Sequence, residues 1–314
     1  MAFWFLEAFV QTIGSQLAGQ VLSRSLLRAI VFWTALAGLY LASCGSQGWS
    51  LLQTLLSREE LILARVIPGA ILLLLAIWLS AWFARRSASH VLQFAAGSRG
   101  WPSRLRAWAS QRWADRRQNL TKQIDELNKK CNNNPKSLDA AEQRRWARID
   151  IGLEELPKTG LMMPTRLGNI LLGLAEYPSL RYGLDFYVCW PRLRLLLPEE
   201  AVRRVQGREE RMLEAAEAAM WVVAFPIAVL AIAALTFNAL IVGLLAPLTG
   251  IASLALWLLY QDMIEEARAY KQEIQSAFDL YRLSLYTALG WQAPGRDQEA
   301  EEGERLTQFL WRGE

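Results

Sequence analysis

The sequence predicts an all-α membrane protein. Four transmembrane helices form two hairpins, with a mostly helical cytosolic insertion between them and a helical stalk after the second. Three observations predict this. First, hydrophobic residues make up 53% of the 314 residues, with 14 Trp and only 20% charged residues, which is more apolar than a soluble domain of this length normally is. Second, residues 29–49, 66–84 and 218–260 contain no charged side chain. Third, Arg24, Arg28, Arg85, Arg86 and the basic residues after them flank the outer ends of the first two runs, while the loop between those runs balances Arg58 and Arg65 with Glu59 and Glu60.

Residues 1–28 come first. Phe3, Leu6, Phe9, Val10, Ile13, Leu17 and Val21 recur at helical spacing. They predict an amphipathic N-terminal helix that lies on the membrane surface or packs on its own bundle. Glu7 interrupts the first apolar stretch and no basic start precedes it, so a cleavable signal peptide is not expected.

The first hairpin covers residues 29–84, with crossings at 29–49 and 66–84. The latter, "VIPGAILLLLAIWLSAWFA", has the length of a bilayer crossing, and Pro68 suits a first helical turn. The second hairpin covers residues 218–260, with crossings at 218–235 and 240–260 and a break at "TFN", Thr236 to Asn238. Pro226 and Pro247 are expected to kink these two helices. Arg24 and Arg28 precede the first crossing, and Arg85, Arg86 and the basic residues 87–112 follow the second. The loop 50–65 holds Arg58 and Arg65 against Glu59 and Glu60. The bias of positive charge toward the cytoplasm places both termini and the central insertion inside the cell.

The insertion, residues 85–217, carries 24 Lys and Arg against 16 Asp and Glu, while the whole chain has 34 against 30. The rest of the chain is therefore acidic on balance, and the insertion is the part suited to an anionic partner. Near its start, Arg104, Arg106, Arg112, Arg116 and Arg117 interleave with Trp101, Trp108 and Trp113. Such a mixture suits anionic lipid headgroups, or a nucleotide whose base stacks on the rings. A helical hairpin follows. Trp113, Leu120, Ile124 and Leu127 lie on its first helix and "CNNNPKS" breaks the chain. Leu138, Ala141, Trp146, Ile149, Leu153 and Leu156 form the return stripe.

Then comes "PTRLGNILLGLAEYPSLRYGLDFYVCWPRL", residues 164–193. A short helix is expected over 166–176 with Thr165 as its cap, then a turn at "EYPSLRYGLD". Residues 186–190 are too few to span a bilayer, and lie against the membrane or in a cytosolic core. Arg166, Asn169, Arg181, Tyr182, Asp185 and Arg192 are polar groups in apolar surroundings, and such groups must be paired where they are buried. Two readings stay open. In one, Arg166 or Arg181 pairs with Asp185 and fixes the fold. In the other, Arg166, Arg181, Tyr182 and Arg192, together with Arg104, Arg106 and Trp108, bind an anionic ligand.

The stalk, residues 261–291, places Met263, Ala267, Tyr270, Ile274, Ala277 and Tyr281 at alternating four- and three-residue steps, fading into Ser284 and Ala288. A seam of this kind packs on a partner helix or on copies of itself, making a homo-oligomer. The acidic tail, residues 292–314, starts with the composition of a disordered segment. It ends with Leu306, Phe309, Leu310 and Trp311, a patch for its own body or for a cytosolic protein partner.

No catalytic constellation is found, and the chain is not expected to be an enzyme. Cys44, Cys131 and Cys189 are far apart and His90 is the single histidine, so neither a zinc site nor a disulfide framework is expected. Phosphate-binding glycine motifs are absent, and the pairs of carboxylates, such as Asp262 with Glu265 and Glu266, sit on a charged helix face. No metal or cofactor is expected.

The blocks "TRLGN", "RYGLD" and "WPRL" within residues 165–193 resemble a recurring segment of uncharacterised bacterial integral-membrane proteins. The hairpin–insertion–hairpin layout is similar to that of membrane effectors of bacterial anti-phage systems. One of these is the pore-forming effector of the Hailong system, which an oligonucleotide made by a nucleotidyltransferase controls. The resemblance implies a multi-pass protein of the bacterial inner membrane, oligomeric and ligand-gated, with a nucleotide or oligonucleotide as ligand. It assigns no residue. A membrane scaffold that recruits a cytosolic partner is the alternative, and a transporter ranks third because charged groups are missing from the crossings.

Overall fold

A computed structural model describes residues 24–43, 50, 67–131, 138–236 and 238–313. Among these the protein is all-helical: α1 (Arg24–Ser43), α2 (Ile67–Ala95), α3 (Ser103–Lys130), α4 (Ala140–Glu154), α5 (Arg166–Tyr182), α6 (Phe186–Leu196), α7 (Glu199–Thr236), α8 (Ala239–Ala288) and α9 (Glu299–Arg312). Four of them, α1, α2, α7 and α8, are long and apolar enough to cross a membrane. The amphipathic helix expected over residues 1–28 lies outside the described residues up to position 23, as do most of the loop 50–65 and of "CNNNPKS".

The chain divides into two compact units. One comprises Met1–Val91 and Glu214–Leu259, the other Leu92–Leu213 and Tyr260–Glu314. Stalk and tail thus share a unit with most of the insertion.

In the first unit, a core of Leu36, Val229, Ala233 and Ile241 is flanked by Phe32, Phe225 and Leu248. The outward side chains are apolar as well: Leu72, Leu74, Trp82, Ile251 and Trp257 are all more than half exposed. A surface of this kind suits lipid, in which every backbone polar group must be satisfied inside the helix. Arg24 and Arg28 are helical, on α1 ahead of its apolar run. They meet carboxylates there: Arg24 pairs with Glu214, and Arg28 Nη1 approaches fully buried Glu217 at 3.4 Å. Asn238, between α7 and α8, donates to the Ser43 carbonyl at 3.1 Å. Pro226 and Pro247 stand inside uninterrupted helices.

In the second unit, α3 and α4 form the expected hairpin. Asp139 caps α4 by accepting from the amides of Ala141 and Glu142, and Trp146 donates across the hairpin to Asn128 at 2.9 Å. Thr165 caps α5, accepting from Gly168 N. The helix does not turn at Pro178, as the sequence suggests, but runs on to Tyr182. A proline inside a helix gives up its own N–H bond, and here the last turn is held downstream of it. Gly183, at φ 68°, donates to Ser179 at 3.0 Å, the bond of a left-handed glycine stop, and Leu184 donates to Pro178 at 3.2 Å.

Residues 186–190 belong to α6, whose Cys189, Trp190 and Leu193 are buried in the unit's main core. That core is completed by Leu174, Ile274, Phe278, Leu285, Tyr286 and Leu306. The stalk seam is therefore covered within this chain. It does not fade at Ser284 and Ala288, which are exposed, but shifts by one residue to Leu285 and Tyr286, both buried. The tail is helical over Glu299–Arg312, after a non-helical start at residues 292–298. α9 docks through fully buried Leu306, with Phe309 and Leu310 beside it, while Trp311 stays 76% exposed.

Candidate functional site

The residues singled out in the sequence do not gather into one site. Arg166 is committed to the fold. Its Nε and Nη2 form a two-pronged pair with Glu155 at 2.8 and 3.1 Å, and Arg268 of α8 reaches the same carboxylate at 2.7 Å. Glu155 closes α4, so this one carboxylate ties α4, α5 and α8. The expected partner, Asp185, is occupied elsewhere. It caps α6 by accepting from Val188 N at 3.0 Å, because an unpaired helix N-terminus at that position needs an acceptor. Asn169, fully buried, bridges the loop before α5 through both backbone groups of Met163. Arg192 is exposed and folds back on its own helix, donating to the Val188 carbonyl at 2.6 Å. Arg104, Arg106 and Trp108 are exposed on α3, where Arg112 lies over the Trp108 ring at 4.8 Å.

Arg181 and Tyr182 are brought together, along with Tyr177, Asp279, Arg282 and Glu299, which the sequence did not assign to the site. Tyr177 and Tyr182 both donate their hydroxyls to Asp279 of α8, the first at 2.7 Å. Arg181 donates to the Tyr177 hydroxyl at 2.8 Å and lies 5.6 Å from the centres of both rings. Arg282 covers Tyr182 at 4.1 Å and pairs with Glu299 of α9. Burial, reinforced by Asp279, pushes both phenols up, so they remain hydrogen-bond donors.

Beside this cluster a cavity of about 390 Å³ opens between the end of α4, α5 and α8, lined among others by Lys158, Gly173, Glu176, Tyr177, Arg181 and Lys271. Lys271 is 8% exposed, and its ammonium donates to the Glu154 carbonyl at 2.5 Å. An ammonium has three protons to donate, and a buried one with few acceptors is costly. Burial holds Lys271 below the ordinary lysine value; Glu154, Glu155 and Glu176 raise it and Lys158 lowers it. The Glu176 carboxylate is already taken by the amides of Lys158 and Thr159 and by the Thr159 hydroxyl. Lys158, Arg181 and Lys271 therefore converge on a cavity whose second carboxylate, Glu154, is exposed. A small anionic group fits that chemistry, and Tyr177 offers an aromatic wall.

Sequence reasoning missed Lys271. The signal was present: it lies four residues after Ala267 and three before Ile274, so it belongs to the apolar seam, where a charge demands an explanation.

Among the described residues no three His, Cys, Asp or Glu side chains group so as to hold a metal ion. Comparison with protein-family models, curated proteins and solved structures finds no match for this chain.

Proposed function

We propose that this chain is a homo-oligomeric, multi-pass effector of the bacterial inner membrane, of pore or channel type. Its second unit senses an anionic ligand, a nucleotide or oligonucleotide whose phosphate meets Lys271, Lys158 and Arg181. The observation that carries the proposal is Lys271: a buried ammonium opening on a cavity of ligand size, on the same continuous helix, α8, that supplies one of the four apolar crossings. A ligand that binds one packing of this helix better than another shifts the equilibrium between them. No charged residue lies within residues 218–260, so an open pore needs hydrophobic gating or a lumen shared among subunits. The hairpin–insertion–hairpin layout, similar to that of membrane effectors of anti-phage systems, supports the defence setting. The scaffold alternative is less favoured, because Leu306, Phe309 and Leu310 are engaged within the chain.

The test is conductance in planar bilayers with purified full-length chain, before and after addition of mono- and oligonucleotides. Oligomeric mass in detergent is measured in parallel. Nucleotide-dependent current from an oligomer that Lys271→Met abolishes is the expected result. A monomer with no current under any ligand overturns the proposal.

A further inference from the structure

A second cavity lies wholly within the first unit and has a different chemistry. It measures about 550 Å³ and is walled by α1, α7 and α8, through side chains such as Val31, Phe32, Trp221, Phe225 and Ile251. On α1 it runs from Arg28 to Ala35, about 10 Å at the rise of an α-helix. Its lining is apolar except at one end, where Arg28 borders it. The lining helices are three of the four that are long and apolar enough to cross a membrane. A groove of this kind does not hold water; in a bilayer its natural filling is hydrocarbon.

The Arg28 end is electrostatically incomplete. Arg28 Nη1 and Glu217 Oε1 stand 3.4 Å apart, yet both are buried without a hydrogen-bond partner among the described residues. Ser25 takes the other oxygen of Glu217 at 2.8 Å, and Arg85 reaches it only at 4.0 Å. Arg24 and Arg85 are 72% and 52% exposed. Three guanidiniums thus face two carboxylates, Glu214 and Glu217, leaving one positive charge in excess. That excess sits where the apolar groove ends.

We propose that this groove is a binding site for an anionic phospholipid: one acyl chain lies along α1, α7 and α8, and the phosphate sits at Arg28 with Arg24 and Arg85 beside it. The phosphate diester offers acceptors to the exposed guanidiniums of Arg24 and Arg85 and neutralises the surplus charge, while Arg28 Nη1 stays facing Glu217, and the chain supplies the apolar filling. Anionic lipid is selected because the surplus charge is neutralised only by a headgroup with net negative charge, and basic pockets between transmembrane helices recruit such headgroups on the cytoplasmic side. The proposal rests on the membrane reading but not on a ligand in the other unit.

The full-length chain is reconstituted into nanodiscs of equal phosphatidylglycerol and phosphatidylcholine, re-extracted in mild detergent, and its retained lipid measured by native mass spectrometry. The wild type is expected to retain phosphatidylglycerol over phosphatidylcholine by about fivefold, the effect of one arginine near an anionic surface. Arg28→Gln is expected to bring the ratio near unity. Because that variant leaves Glu217 with fewer partners and risks misfolding, Ala252→Phe fills the groove without touching the charged end. It is expected to lower the retained phosphatidylglycerol. Equal retention of the two lipids by the wild type overturns the site, as does selectivity that survives both substitutions. A chain that stays soluble without detergent overturns the membrane reading itself, which separates the two failures.

Discussion

Gly183 and Gly303 meet where the end of α5 crosses α9. A β-carbon on Gly303 would strike the carbonyl of Tyr182, and one on Gly183 would strike that of Ala300. Thr307, one helical turn after Gly303, completes the joint: its hydroxyl accepts from Asp185 N at 3.0 Å and donates to the Gly183 carbonyl at 3.2 Å. Gly303→Ala is therefore expected to destabilise the second unit by about 2 kcal/mol, the usual range for overpacking. Limited proteolysis should cut at Arg305 and Arg312 sooner in this variant, while thermal unfolding gives the magnitude. Unchanged cleavage would show that α9 is not held by this crossing.

Glu155 is the second structural joint. Its side chain is 12% exposed and carries two guanidiniums, those of Arg166 and Arg268, each a little over one-third exposed. Glu155→Gln removes the charge that both arginines share. A loss of about 2 kcal/mol is expected, below the full cost of a broken buried pair because solvent screens the arginines. Arg192→Ala serves as the control, with stability unchanged within about 0.5 kcal/mol. Chemical denaturation of the two variants side by side measures the contrast.

Lys271 gives a pH dependence of opposite sign for stability and for binding. Its folded value lies below the ordinary lysine value of 10.5. Between the two values the unfolded chain holds a proton that the folded chain has lost, so stability rises with pH through that window. An anion needs the ammonium, so its affinity falls over the same window. Thermal unfolding and nucleotide titration across alkaline pH check both trends. Lys271→Met should flatten both curves, and a difference curve between variant and wild type removes the contribution of Tyr270, which burial pushes up to about 12.

Arg181 separates sensing from folding. It is exposed and donates to the Tyr177 hydroxyl while lying over the rings of Tyr177 and Tyr182. Arg181→Ala is expected to unfold at the wild-type temperature and to bind an anionic ligand about tenfold more weakly, the effect of one charge-assisted contact. Equal affinity in isothermal titration would remove Arg181 from the ligand's shell.

The membrane helices are legible because an uncharged run of bilayer length has few alternatives in water. The α3–α4 hairpin is legible because its stripe recurs at 3.6-residue spacing on both arms. Thr165 is legible because a helix start needs an acceptor. Other features depend on where distant segments land. Arg166 and Asp185 sit 19 positions apart and invite pairing, yet each finds a better partner, Glu155 and the amide of Val188. Pro178 suggests a turn because local propensity opposes it, whereas burial in the core retains it in the helix. Gly183 and Gly303 are 120 positions apart, and nothing local marks them as neighbours.

The second unit draws Leu174, Trp190 and Leu193 from one stretch of chain and Phe278, Tyr286 and Leu306 from another, with all of Glu214–Leu259 synthesised between them. Its core therefore closes late. The apolar helices leave the ribosome before the partners of α5 and α6 exist, so they are made before the second unit can finish assembling. Until translation reaches α9, the nascent chain holds its oily segments without the completed module that we propose controls them.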